Sequence, residues 1–418
     1  MINTHDNKPD TEPPAAPQNR HELTVEKWVY GGAGLGRIEG RVALAPFVLP
    51  GERVEIEVLR SKTSLAEGRV LRIVESAPQR VAPDCKYFEK CGGCDYQHAG
   101  YAFEVQQKVE IVREVMKRIG KLDLPSQIGT LSGEPLGYRN RSQFHLKGPR
   151  IGYLAAGSHE LVPVDSCPIS APLINQALTV LLKSVKDRRW PRFVTEVELF
   201  TNGEKTMVNV LQTEGNRRVA RGFFDWIGER IHGAADGYLD YATEAGTFRV
   251  SHGSFFQVNR FLVDGLVECA LRDLSGSSAL DLYAGVGLFT LPLAKSFAKV
   301  TGVETSASAV RDLAFNAESR GLQVDVQRMQ AEQYLEALTE SPDVIVADPP
   351  RSGLGKGAAK HLVRLKPQRI VIVSCDPSTL ARDMGQIVPS GYAVEEFTVA
   401  DLFPRTHHVE CVARLVRT

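Results

Sequence analysis

"LDLYAGVGLFTLPLA" (residues 280–294) reads as a buried strand, a glycine turn and the start of a helix. Gly285 and Gly287 let the backbone approach a ligand at the helix N-terminus. A dinucleotide fingerprint would carry a third glycine at position 290, where this chain has Thr290. The next apolar run ends on Glu304, about 19 residues past Gly285. An acid there can accept hydrogen bonds from both hydroxyls of a ribose, so the pattern fits S-adenosylmethionine better than NAD or FAD. Working outward, from about residue 252 short β-rich runs alternate with helical segments: "SALDLY", "KVTGVE", "VDVQRM", "DVIVADPP" and "RIVIVSC". That alternation predicts a parallel, doubly wound sheet.

Such sheets bind ligands outside the carboxyl ends of their strands. At four of these five strand ends this chain carries Tyr283, Glu304, Asp348 of "DPPR" and Cys375 of "SCDP". Cys375 stands before a predicted helix, whose dipole is expected to lower the thiol pKa. The chemistry such a thiol suits is methyl transfer to a base carbon. Uracil C5 is a poor nucleophile, but a thiolate adding to C6 makes C5 a carbanion equivalent. A base must then take the C5 proton so that the thiol can leave, and Glu410 of "FPRTHHVE" offers that carboxylate.

The remaining sequence bounds this reading. A chain of 418 residues has room for two or three domains. Its 43% hydrophobic and 24% charged residues place it among soluble globular proteins. Fifty basic and fifty acidic residues cancel, so a nucleic-acid partner must be sought in local patches. Residues 1–20 are polar and lack the apolar stretch of a signal peptide; a disordered tail is expected there. No run approaches the roughly 20 apolar residues of a membrane span, so a cytoplasmic protein without a membrane partner is expected. Residues 21–77 alternate β-formers with Gly and Pro turns, which predicts a small barrel of a kind that often binds RNA. Val105, Val109, Val112, Met116 and Ile119 recur at helical spacing and predict a helix over 102–119, with Gly120 as its stop. Residues 136–250 read as antiparallel α+β, with strands such as "RSQFHL" and "TMVNVLQ". Within "YRNRSQFHLKGPR" (138–150), Arg139, Arg141, Lys147 and Arg150 could hold phosphates, and Tyr138 and Phe144 could stack on an unstacked base.

Seven cysteines are spread unevenly, which suggests metal or catalysis in place of disulfides. "CKYFEKCGGC" sets Cys85, Cys91 and Cys94 close together, and Cys167, followed by Pro168, lies far downstream. Four thiolates suit zinc or an iron–sulfur cluster, and this spacing favours the cluster.

"CGGC" with "QH" two residues on, "SFFQVN", "DLYAGVG", "DPPRSGL", "SCDPSTLARD" and "FPRTHHVE" occur in that order. Over roughly residues 22–418 the chain resembles the RNA (uracil-5-)-methyltransferases, in the branch that carries a TRAM barrel and a [4Fe-4S] cluster. The resemblance implies a multidomain fold. It comprises a tail (1–20), a TRAM or OB-like β-barrel (21–77), a central α+β iron–sulfur and RNA-binding domain (78–250) and a C-terminal α/β Rossmann-like methyltransferase domain (251–418). The helix at 102–119 would pack on the last of these. It implies Cys85, Cys91, Cys94 and Cys167 as cluster ligands, Cys375 as nucleophile and Glu410 as proton acceptor. Gln257, Tyr283, Glu304 and Asp348 match the S-adenosylmethionine site, and Gln330 falls near another such position. Asp376 stands where the family often has Asn, and adds charge beside the thiol. Members with the cluster mostly modify large-subunit ribosomal RNA. The expected partner is therefore 23S rRNA, its uridine flipped out of the stack, and the expected state is a monomer. The alternatives are a tRNA uracil-5 methyltransferase and a non-catalytic RNA-binding assembly factor.

Overall fold

A computed structural model describes residues 19–418, which divide into two compact units between Arg80 and Val81. Nearly all of the tail expected over 1–20 lies outside the described residues.

The first unit is a closed five-stranded barrel. Its strands are Arg20–Trp28, Ala33–Ile38, Arg41–Pro46, Arg53–Ser61 and Leu65–Glu75. The period-2 alternation turns Leu23, Val25, Ala43, Ala45, Val54, Ile56 and Ala66 inward, each at most 1% exposed. The barrel curls tightly at Gly36, where a Cβ would stand 2.2 Å from the Thr24 carbonyl oxygen. Below the barrel core, Glu52 is fully buried and satisfied. It accepts from Arg80 Nε at 2.6 Å, Leu49 N at 2.8 Å and Ala77 N at 3.2 Å. Burial alone would raise its carboxyl, but Arg80 and the two amides hold it below the ordinary glutamate range.

The second unit carries an eight-stranded sheet and a five-stranded antiparallel one. Along the larger sheet the order is Asp325–Arg328, Phe297–Glu304, Gly276–Leu282, Val344–Ala347, Arg369–Ser374, Glu410–Arg417, Tyr392–Ala400 and Gly129–Leu131. The first five are mutually parallel. The strand order reverses beside Gly276–Leu282, which opens a crevice above its carboxyl end. Ile370, Val371, Ile372 and Val373 are at most 1% exposed because helices cover both faces of a central parallel strand. Glu410–Arg417 then pairs antiparallel with that strand, Ser374 opposite Cys411. This brings the chain's late glutamate to the same sheet end as its thiol.

The smaller sheet has the order Thr206–Thr213, Val194–Thr201, Arg141–Lys147, Arg150–Leu154 and Leu161–Pro163. It packs over the helix Pro172–Ser184 through Phe144, Ile174, Leu178, Leu181, Val197 and Leu199. Phe144 therefore cannot stack on a base: it is fully buried, with its ring 4.9 Å from that of Tyr153. Tyr138 is equally buried and donates its hydroxyl to the Pro404 carbonyl. The expectation that these two aromatics face RNA is corrected; both are core residues that happen to lie between arginines.

The helix expected over 102–119 is α-helical over Tyr101–Val115 and then widens to a π-turn over Met116–Gly120. Gly120 is not its left-handed stop. Lys121 takes that conformation, at φ 56°, and Gly120 instead admits the helix Pro377–Ile387, since a Cβ would lie 2.8 Å from the Ala381 carbonyl oxygen. No described helix is long and apolar enough to cross a membrane.

Candidate active site

The glycine turn forms the floor of the crevice. Gly285 and Gly287 have φ of 55° and 97°, and Tyr283 itself is at 63°. Gly287 also abuts Leu313, where a Cβ would come within 2.6 Å of Cδ1. At Gly285 nothing lies within 4 Å of the added Cβ, so the backbone there is open to a ligand. Glu304 is fixed at the neighbouring strand end. Its Oε2 accepts from Gly285 N at 3.0 Å and its Oε1 from Ser306 N at 2.7 Å. Thr290, in place of the third glycine, donates its hydroxyl at 2.5 Å to Asp281, a fully buried carboxyl that burial raises to about 7. Thr290 thus satisfies one oxygen, Oδ2, of a carboxyl under the turn.

Asp348 follows the strand Val344–Ala347, and burial raises it to about 7. Gln257 Nε2 donates to Asp348 Oδ2 at 3.3 Å. Gln257 is itself positioned through its carbonyl, which accepts from Asn140 Nδ2 at 3.0 Å. Tyr283, partly buried, senses the charges of Asp383 and Glu332. Gln330 stands exposed at the N-cap of the helix Ala331–Ala337, without a capping bond.

Cys375 leaves the strand Arg369–Ser374 immediately before the helix Pro377–Ile387. Its thiol is not lowered as the helix start suggested. Burial pushes it up to about 12, the carboxyls of Glu410 and Asp348 add to the rise, and Arg351 opposes them. The helix amides are already satisfied. Asp376 Oδ1 accepts from Ser378 N at 2.8 Å and from Thr379 N at 2.9 Å. Asp376 is thus a helix cap, and the charge it adds lies on those amides. Glu410 is 3% exposed, and its Oε1 has no hydrogen-bond partner among the described residues. Its carboxyl is raised well above the usual range by burial first and by Asp348 second. A thiol, an unpartnered carboxyl, a second acid and one arginine thus meet at one end of the sheet. Arg351 was not singled out in the sequence, although it directly follows "DPP".

Four of the other six cysteines form a separate site. Cys85, Cys91, Cys94 and Cys167 together line a cavity of about 200 Å³. The loop is pinned to the smaller sheet by Gly92 N, which donates to the Leu154 carbonyl at 2.9 Å. Gln97 spans it, accepting from Cys85 N at 3.0 Å and donating to Cys94 Sγ at 3.2 Å. Asn175 holds Cys167 by its backbone N–H, at 2.8 Å, and by its carbonyl, at 3.0 Å. Burial raises Cys91 to about 11 and Cys94 further, and the charge of Cys167 adds to both. Among the described residues no three His, Cys, Asp or Glu side chains converge closely enough to hold a single metal ion.

Known proteins are similar to this chain. The tRNA (Uracil-5-)-methyltransferase family pattern matches residues 235–418, and the TRAM domain pattern matches residues 20–71. A Halomonas elongata protein named 23S rRNA (uracil(1939)-C(5))-methyltransferase RlmD is 32% identical over 96% of this chain and 90% of its own. An Aquifex aeolicus protein named as an uncharacterized RNA methyltransferase is 32% identical over 94% of this chain and 98% of its own. Among solved structures, the Pyrococcus abyssi tRNA (uracil-54, C5)-methyltransferase, in complex with S-adenosyl-L-homocysteine, aligns with a TM-score of 0.72. It is 26% identical and covers 95% of this chain and all of its own. With a TRAM barrel before a methyltransferase sheet, and relatives of this identity along nearly its whole length, the chain belongs to the RNA (uracil-5-)-methyltransferase family.

Proposed function

We propose that the protein methylates C5 of a uridine in 23S rRNA through a covalent bond between Cys375 and C6 of the base. The observation that carries this reading is the placement of Cys375 and Glu410 at the same end of adjacent strands, with Glu410 buried and its Oε1 without a hydrogen-bond partner among the described residues. S-adenosylmethionine supplies the electrophilic methyl group when bound. The open backbone at Gly285 and the anchored Glu304 suit its adenosyl part, and Gln257, Tyr283 and Asp348 line the path toward the thiol. The Cys375 thiol gives its proton to solvent and its sulfur adds to C6. The π electrons of the C5–C6 bond pass to C5 and O4, and C5 takes the methyl group as the methyl–sulfur bond breaks, that bond's electrons staying on the departing sulfur. Glu410, ionised, then takes the C5 proton. The electrons of that C–H bond restore the C5–C6 double bond, and the sulfur leaves as thiolate. Arg351 is the cation that favours the ionised forms of both groups.

Four sulfurs around one cavity, with amide donors aimed at them, support a [4Fe-4S] cluster more than a single zinc ion. The cluster would be held by Cys85, Cys91, Cys94 and Cys167. It would clip the loop before the helix Tyr101–Val115 to the turn between the strand Leu161–Pro163 and the helix Pro172–Ser184. The barrel and the central region would grip the RNA, and the region from 251 onward would carry the chemistry. The ribosomal substrate is favoured by RlmD relatives that match nearly the whole chain. A transfer-RNA substrate is the second reading, favoured by the Pyrococcus abyssi structure. Mass spectrometry of both RNAs from cells with and without the protein separates the two. Loss of 5-methyluridine from 23S rRNA alone supports the first reading, and loss from tRNA alone overturns it.

A further inference from the structure

Residues 401–409 join the two antiparallel strands of the catalytic sheet and deliver Glu410. The start of this connection is fastened to its own unit by Asp401 N, which donates to the Leu131 carbonyl at 2.8 Å. Its middle is fastened by Arg405 N, which donates to Glu104 Oε1 at 2.7 Å. Its last turn is held by the cysteine loop. His407 N donates to Asp95 Oδ2 at 2.8 Å, and His407 Nδ1 lies 2.8 Å from the same oxygen. The backbone amides of Asp95 and Tyr96 both donate to the Arg405 carbonyl, at 2.8 and 3.0 Å. Beyond this grip, the His407 ring lies 4.1 Å from that of His408, and His408 Nε2 stands 3.4 Å from Arg351 Nη2. Asp95 directly follows Cys94.

We infer that Asp95 is a positioning residue for the reaction, holding through His407 the segment that carries Glu410. One carboxylate oxygen meets both the backbone and the ring of His407, three residues before Glu410. It therefore fixes the direction in which the strand begins. A proton acceptor needs sub-ångström placement over the base carbon, and a connection free to swing would lose it. The cysteine loop thereby helps to aim the proton acceptor, although its cavity is separate from the catalytic crevice. The inference rests on reading Glu410 as the proton acceptor, and the experiment keeps the two apart.

The test compares Asp95→Ala, Asp95→Asn and Glu410→Gln with the native protein, using ribosomal RNA from cells lacking it as substrate. Asp95→Ala should lower kcat by about 10–100-fold. The KM for S-adenosylmethionine should change less than about twofold, since the residues at Gly285 are untouched. The protein–RNA adduct should accumulate, and amide exchange should quicken at 407–409 but not in the strand 370–373. Asp95→Asn keeps a carbonyl acceptor for His407 N–H and should restore most of the rate. Native kcat in Asp95→Ala would overturn the inference. So would equal losses in both Asp95 variants with faster exchange throughout the catalytic sheet, because Asp95 would then act only in folding. Normal turnover in Glu410→Gln alongside a slow, locally loosened Asp95→Ala would remove the role of Glu410 and leave the tether standing.

Discussion

Two sets of thiols in this protein differ in what surrounds them. Around the cavity they line, burial raises the thiols of Cys85, Cys91 and Cys94, and the next influences are donors that lower them: Gln97 on Cys94 and the Gly93 amide on Cys91. What then opposes ionisation is the charge of the other sulfurs. At Cys375 burial also comes first, but the next influences are the acids Glu410 and Asp348. A bound cation removes the first obstacle, because mutual repulsion among thiolates vanishes when they share positive charge. The second persists until a substrate or cofactor enters, or until Glu410 takes a proton. On the proposed reading, the thiols of the first site suit a shared cation, and the thiol of the second stays neutral until a substrate enters.

The largest expected effect breaks the comparison outright. On the proposed covalent route, Cys375→Ala should lower turnover by on the order of 10⁴-fold or more. Cys85→Ala should leave the chemical step to whatever fraction of the protein remains folded. Glu410→Gln should slow product release by about 10²–10⁴-fold while the methylated adduct builds up, measured by single-turnover quench. The pH dependence follows from the raised thiol. With the free thiol at about 12, the thiolate fraction is small at neutrality and grows with pH. Adduct formation should therefore rise about tenfold per pH unit between roughly pH 7 and 9. A plateau from pH 7 would mean that the thiol is already ionised.

Cys167→Ser sharpens the comparison from the other side. Iron content should fall on the order of tenfold, and RNA affinity should fall more than S-adenosylmethionine affinity, read by metal analysis and calorimetry. The smallest effect concerns two buried glutamates. Glu52, held by Arg80, is lowered, whereas Glu410, buried beside Asp348, is raised. Stability from Glu52 is present above the unfolded pKa and lost as pH falls toward the lowered folded value. The barrel should accordingly weaken in acid, and Glu52→Gln should cost about 2–3 kcal/mol at neutral pH in a denaturant titration and remove part of that acid sensitivity.

The parallel strands were legible because "RIVIVSC" and "DVIVADPP" are apolar throughout, as strands buried on both faces must be. Their ends announced Tyr283, Glu304, Asp348 and Cys375 for the same reason: polar residues mark where burial stops. The edge strand Gly129–Leu131 was not legible. It has three residues, and it joins the sheet through Tyr392–Ala400, far away in sequence. Tyr138 and Phe144 were misread because a basic stretch with aromatics looks alike whether its aromatics face RNA or a core. Period-2 alternation, with Phe144 and Leu146 facing inward, held the answer for Phe144. The thiol pKa was misread because it is raised by burial and by two acids, Glu410 and Asp348, from separate segments, and the local sequence shows only the helix start. The grip of Asp95 on His407 joins residues more than 300 positions apart and left no local signal.

The central claim is that Cys375 bonds to the base. Incubating the protein with 5-fluorouridine-substituted RNA and S-adenosylmethionine tests it directly, because fluorine cannot leave as a proton does and the adduct is trapped. The native protein and Glu410→Gln should both migrate as protein–RNA adducts on denaturing gels, and a digest should place the modification on the peptide containing Cys375. Cys375→Ala should give none. An adduct of equal yield in Cys375→Ala would contradict the account.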